Sequence, residues 1–259
     1  MYVQAYLACQ GTRGRRRSLR EWLHLNERRP RVANRWLEQI RETHQLTVFP
    51  GSTLTGSWSV ALPQALSAFN ALSSTHGLGV TLTRASAPVN RFMTGANVQI
   101  EASNSSHTFA DTMLGPQTMV LPGLSGALTR SLPSARGGRI GQSLILVPTP
   151  LSVMAGPTGQ KRLREAGNPV KVVILVHELI HACGLDNPDH ASVADPDVFS
   201  GTIVDDPDPN DPDKDREELG SKGGVPVKAP PLLLSSQTVT KIQAIWLLPN
   251  PVLHFPRTF

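Results

Sequence analysis

Asn168-Pro169-Val170-Lys171-Val172-Val173-Ile174-Leu175-Val176-His177-Glu178-Leu179-Ile180-His181-Ala182-Cys183-Gly184 is the stretch on which the reading of this chain turns. Asn168 suits a helix N-cap and Pro169 the first helical position, where its missing N–H costs nothing. Gly184 suits the left-handed residue that closes a helix. Between these signals the apolar side chains fall on nearly every side of the cylinder. A helix of that kind belongs in the middle of a domain, not on its surface. Beyond the first turn, which carries Lys171, three side chains conflict with so apolar a setting: His177, Glu178 and His181.

Their spacing has a chemical meaning. At 3.6 residues per turn, positions 177 and 181 lie about 40° apart on one face, so both imidazoles can reach a single cation. Glu178 projects about 100° away from His177, beside such a cation and not on it. Two imidazoles suit zinc, and a neighbouring carboxylate can take a proton from an activated water and pass it to a leaving amine. The bland alternative is a pair of core histidines whose nitrogens are satisfied by hydrogen bonds.

Working outward, Trp58 to Ser74 carries an apolar stripe at helical spacing, with Pro63 in its first turn. Gly79–Arg84 and Asn97–Glu101 alternate as strands, 118–121 is a third short candidate, and Ile140–Val147 holds a run suited to a buried strand. Residues 148–168 read as a connection rich in turn formers. Downstream of Gly184, residues 186–231 have almost no regular pattern. Ser235 or Ser236 then caps a last helix to about Leu247, with Val239, Ile242, Ile245 and Trp246 on its buried face. Strands, a buried helix, an irregular stretch and a final helix indicate an α+β or α/β domain. The turn at Phe49-Pro50-Gly51-Ser52 sets the expected boundary: a basic helical appendage over residues 1–50, and the main domain over 51–259.

His177-Glu178-x-x-His181-x-x-Gly184 resembles the zinc-binding motif of the metzincin superfamily of metallopeptidases. The resemblance implies an α+β fold: a twisted mixed sheet, a long active-site helix ending at the glycine, and a small irregular C-terminal subdomain ending in a helix. It implies one catalytic zinc on His177, His181 and a third ligand, with Glu178 as general base in hydrolysis of a protein or peptide substrate. The family's third ligand falls three residues beyond the glycine, where this chain has Asn187. His190 is the first candidate to replace it, with Asp189 and Asp186 as alternatives. The family's methionine turn has no counterpart, since the last methionine is Met154; Val198 or Phe199 stands where that turn would fall. A zincin with a glutamate ligand would have to use Glu217 or Glu218. The substrate is expected along an edge strand above the helix, near 113–121.

Charge and cysteine content bound the other classes. The formal charge is +5, and ten arginines stand against four glutamates in residues 1–50. That arm invites a nucleic-acid, acidic-membrane or acidic-protein partner, or is simply solvated. It also supports the competing reading, a catalytically degenerate zincin fold that binds a partner through the arm. Residues 205–218 carry eight acidic side chains against two basic ones, and 205–215 offer the oxygen ligands that calcium takes, although the glycine and terminal glutamate of a helix–loop–helix site are missing. Cys9 and Cys183 are the only cysteines, which excludes a disulfide framework and a cysteine-rich zinc site. No run is long enough for a membrane-spanning helix. Met1–Cys9 lacks the leading positive charge of a signal peptide, so a cytoplasmic place or a non-classical route of export is expected. No nucleophile elbow and no phosphate-binding glycine loop is present.

Overall fold

The computed structural model describes residues 35–86, 96–110, 112–124, 126–134, 138–155, 162–186, 204–205, 227–228 and 232–247. The chain divides into Met1–Ala33, outside the described residues, and Asn34–Phe259. The second unit opens with a four-residue helix, α1 (Glu38–Arg41), and strand β1 (Gln45–Pro50). Helix α2 (Ser57–His76) leads to β2 (Thr81–Arg84) and β3 (Val98–Ser103). The hairpin β4 (Ser106–Phe109) and β5 (Gln117–Val120) follows, then β6 (Leu128–Pro133) and β7 (Ile140–Pro148). A second hairpin, β8 (Ser152–Ala155) and β9 (Arg162–Glu165), precedes α3 (Asn168–Ala182). Beyond it lie the short pair β10 (Val204–Asp205) and β11 (Val227–Lys228), and α4 (Ser236–Trp246). The protein is thus α+β with a mixed sheet.

Five strands form the main sheet in the order β2-β1-β3-β7-β6. The first four run parallel, and β6 returns antiparallel along β7 as an edge strand. All nine residues of β7 are buried, as a strand covered on both faces requires. Its alternation sorts side chains between two cores. Ile145 and Val147 join Val48, Val98 and Ile100 under α2 and α3. Leu144 and Leu146 face the other way, onto Phe109, Met119 and Leu121 of the β4–β5 hairpin and its exit. No described helix is long and apolar enough to cross a membrane.

The expected boundary at residue 50 is corrected. β1 is not part of an appendage; it lies between β2 and β3, with Leu46 and Val48 fully buried. Trp36, also fully buried, bridges to Ile140 at the start of β7. The division falls instead between Ala33 and Asn34. Residues 117–120 form a strand as expected, but in the hairpin and not in the main sheet. The strands β6, β8 and β9 arise where no strand was read.

The central helix begins one residue earlier than expected. Gly167 is the N-cap in extended conformation, and Asn168 is the first helical residue. The Asn168 side chain instead donates to Gln64 Oε1 on α2 at 2.7 Å, tying the two helices together. At the other end, Gly184 adopts φ 112°, which a residue with a Cβ rarely tolerates, and the chain turns sharply there. Ser235 caps α4 by accepting from Thr238 N, and Ile242 and Trp246 form its buried face.

Candidate metal centre

His177, Glu178 and His181 all lie on α3, held between α2 and the sheet. The two imidazoles converge: Nε2 of His177 and Nε2 of His181 are 3.2 Å apart, with ring centroids 4.9 Å apart and planes at 65°. His181 is nearly buried, and its Nδ1 lies 2.9 Å from the Leu185 carbonyl oxygen. A carbonyl only accepts, so Nδ1 carries the proton, and in the neutral ring Nε2, the atom that faces His177, is the acceptor. Without a cation, His177 Nε2–H can donate to that acceptor. With one, the same carbonyl contact fixes the tautomer a ligand needs.

Two imidazole nitrogens that converge on one point are a donor type that zinc takes, and a zinc site needs further ligands beside them. Among the described residues no group of three His, Cys, Asp or Glu side chains gathers around one point. His190, Asn187 and Asp189 lie outside the described residues, as do Val198, Phe199, Glu217 and Glu218. Asp186 is described and exposed, directly after the turn at Leu185. The acidic run 205–215 is described only at Asp205, in the β10–β11 pair.

Glu178 is 5% exposed and points toward the edge of the sheet. Its Oε2 accepts a short hydrogen bond, 2.5 Å, from Thr129 Oγ1 on β6. Burial pushes its carboxyl up to about 7, and the Thr129 hydrogen bond opposes part of that shift. A carboxyl poised there exchanges protons readily near neutral pH. Thr129 was invisible in the sequence, because 49 positions separate it from Glu178 and only the sheet brings them together. The strand that Glu178 meets is β6, whereas Met119 and Leu121, in the 113–121 segment expected to border the cleft, pack with Leu144 and Leu146 of β7.

Two indoles hold the end of α3. Trp36 Nε1 donates to the Ala182 carbonyl at 2.9 Å, and Trp246 Nε1 donates to the Cys183 carbonyl at 3.1 Å. Helix ends leave carbonyls without partners, and these two are satisfied from opposite ends of the unit's chain. Cys183 is a buried free thiol, pushed well above its usual range by burial, so it is inert. Lys171, nearer the start of α3, is also buried. Its ammonium donates to Ser57 Oγ at 2.6 Å and lies 3.6 Å from Glu165, while burial lowers its pKa.

No family model matches this chain, and no curated protein matches it.

Proposed function

We propose that the protein is a zinc-dependent endopeptidase. The observation that carries the reading is the convergence of the His177 and His181 Nε2 atoms beside a buried glutamate on the same helix. His177 and His181 would hold the ion, with His190 as the third ligand and Asp189 or Asp186 as alternatives. Zinc there supplies Lewis acidity that activates a water and polarises the scissile carbonyl. Glu178 accepts the proton of the attacking water and then delivers it to the leaving amine nitrogen. The helix holds these groups in place, with Glu178 and His181 buried and His177 half-buried. The peptide would lie extended along the edge of β6 that pairs with no other described strand, adding a strand to the sheet. An intact Glu178 favours this reading over a degenerate binding module, since a packing site has no use for an acid beside two imidazoles.

The test is zinc per chain after dialysis, in the wild type and in His177→Ala, followed by peptide hydrolysis in Glu178→Gln. About one zinc in the wild type, little in His177→Ala, and a loss of turnover of roughly a hundredfold or more in zinc-loaded Glu178→Gln are expected. Folded wild-type protein without zinc, or full activity in Glu178→Gln, would sink the proposal.

A further inference from the structure

We infer that Thr129 is a positioning residue for Glu178, the contact through which the edge strand sets the orientation of the proton-transferring carboxylate. The inference rests on the peptidase reading. Three observations carry it. Thr129 Oγ1 lies 2.5 Å from Glu178 Oε2 and 3.3 Å from the Glu178 main-chain oxygen, and a hydroxyl has one proton to give, so the carboxylate receives it. Among the described residues, no other side chain donates to that carboxylate. And Thr129 is itself fixed: its β-branched side chain has few rotamers, and its backbone is locked opposite Ile145 in the β6–β7 ladder.

The chemical consequence concerns the two oxygens separately. With Oε2 engaged by Thr129, the carboxylate is held toward β6, and Oε1 is left to take and return the proton. The hydroxyl also competes for the lone pairs with which Glu178 would otherwise turn toward the His177–His181 pair. Because Thr129 stands on the edge strand, any chain that pairs with that edge lies beside the same hydrogen bond. Positioning and docking thus share one strand.

The experiment uses the full chain with three substitutions: Thr129→Val, which keeps the shape and removes the donor, Thr129→Ser, which restores it, and Glu178→Ala. In zinc-loaded Thr129→Val, kcat should fall roughly ten- to hundredfold with KM within about twofold, and Thr129→Ser should recover most of it. Zinc content should stay at the wild-type level in both. In zinc-stripped protein, Thr129→Val should lower Tm, and should lower it much less in the Glu178→Ala background, since the partner is already gone. Unchanged kcat, a raised KM with kcat intact, loss of zinc in Thr129→Val, or strictly additive Tm changes would each overturn the inference. A wild type that holds zinc but cleaves no peptide would remove the peptidase reading instead. The Tm cycle would then still decide whether Thr129 and Glu178 act as a pair.

Discussion

Burying Glu178 has a cost. Its carboxyl titrates near 7 in the folded chain against 4.5 when unfolded, because burial disfavours the charged form. A group whose pKa is raised on folding adds stability that is complete below the unfolded value and lost as pH rises through the folded one. Zinc-stripped wild type should therefore lose stability from this site between about pH 4.5 and above 7. Glutamine cannot ionise and can still accept from Thr129. Glu178→Gln should thus match the wild type near pH 4 and exceed it by about 3 kcal/mol above pH 8, as 1.36 kcal/mol per unit implies. Urea unfolding at the two pH values in chelator checks this; equal stability at pH 8 would mean that the carboxylate is better solvated than its burial indicates. A second residue-scale expectation concerns Gly51. A Cβ there would fall 1.7 Å from Glu101 Oε1, and Glu101 is held in place by Thr53 and Gln99. Gly51→Ala should cost about 2 kcal/mol or more by displacing that buried carboxylate, read from the urea midpoint.

At the scale of elements, the legible parts of the sequence were those whose pattern is self-sufficient. Helix α2, helix α3 and helix α4 announce themselves by apolar periodicity and end signals, and β7 by its continuous apolar run. β6 was not legible, because an edge strand interleaves Thr129, Arg130 and Ser131 with only two leucines. β1 was hidden by its place after an arginine-rich stretch and before a proline turn. The convergence of the two imidazoles could be read from their spacing alone, whereas the contact of Thr129 with Glu178 depends on a strand pairing that no local pattern encodes. The indole clamp on α3 is another such non-local feature, and it makes a prediction. Trp36→Phe and Trp246→Phe each leave a helix-end carbonyl without its donor, which should cost about 1–3 kcal/mol apiece. Both carbonyls lie within two residues of His181, so the substitutions should also speed zinc loss to a chelator. Trp58→Phe is the control: its indole donates to the Pro148 carbonyl at the end of β7, and its loss should lower stability without speeding zinc release. Equal release rates in all three would show that the clamp stabilises the fold but not the site.

At the scale of the molecule, the site is assembled from distant parts of one unit. α3 supplies the imidazoles and the carboxylate, β6 supplies the hydroxyl, and the segment around Trp36 and helix α4 fix the end of α3. Arg35 joins the last two directly, donating from Nη2 to the Ala244 carbonyl at 3.1 Å. Residues 35–50 are thus structural members of the domain that bears the histidines, for two independent reasons. β1 lies inside the sheet, so removing it would leave β2 and β3 without the strand that joins them. Trp36 fills the core and caps α3. A chain beginning at Asn34 should therefore unfold in one cooperative transition, while a chain beginning at Gly51 should lack any such transition and bind no zinc. Circular dichroism melts and zinc analysis of the two truncations compare them directly. A cooperative, zinc-binding chain that starts at Gly51 would place the boundary back at residue 50, and would mean that α2, β3 and β7 hold α3 in position without β1.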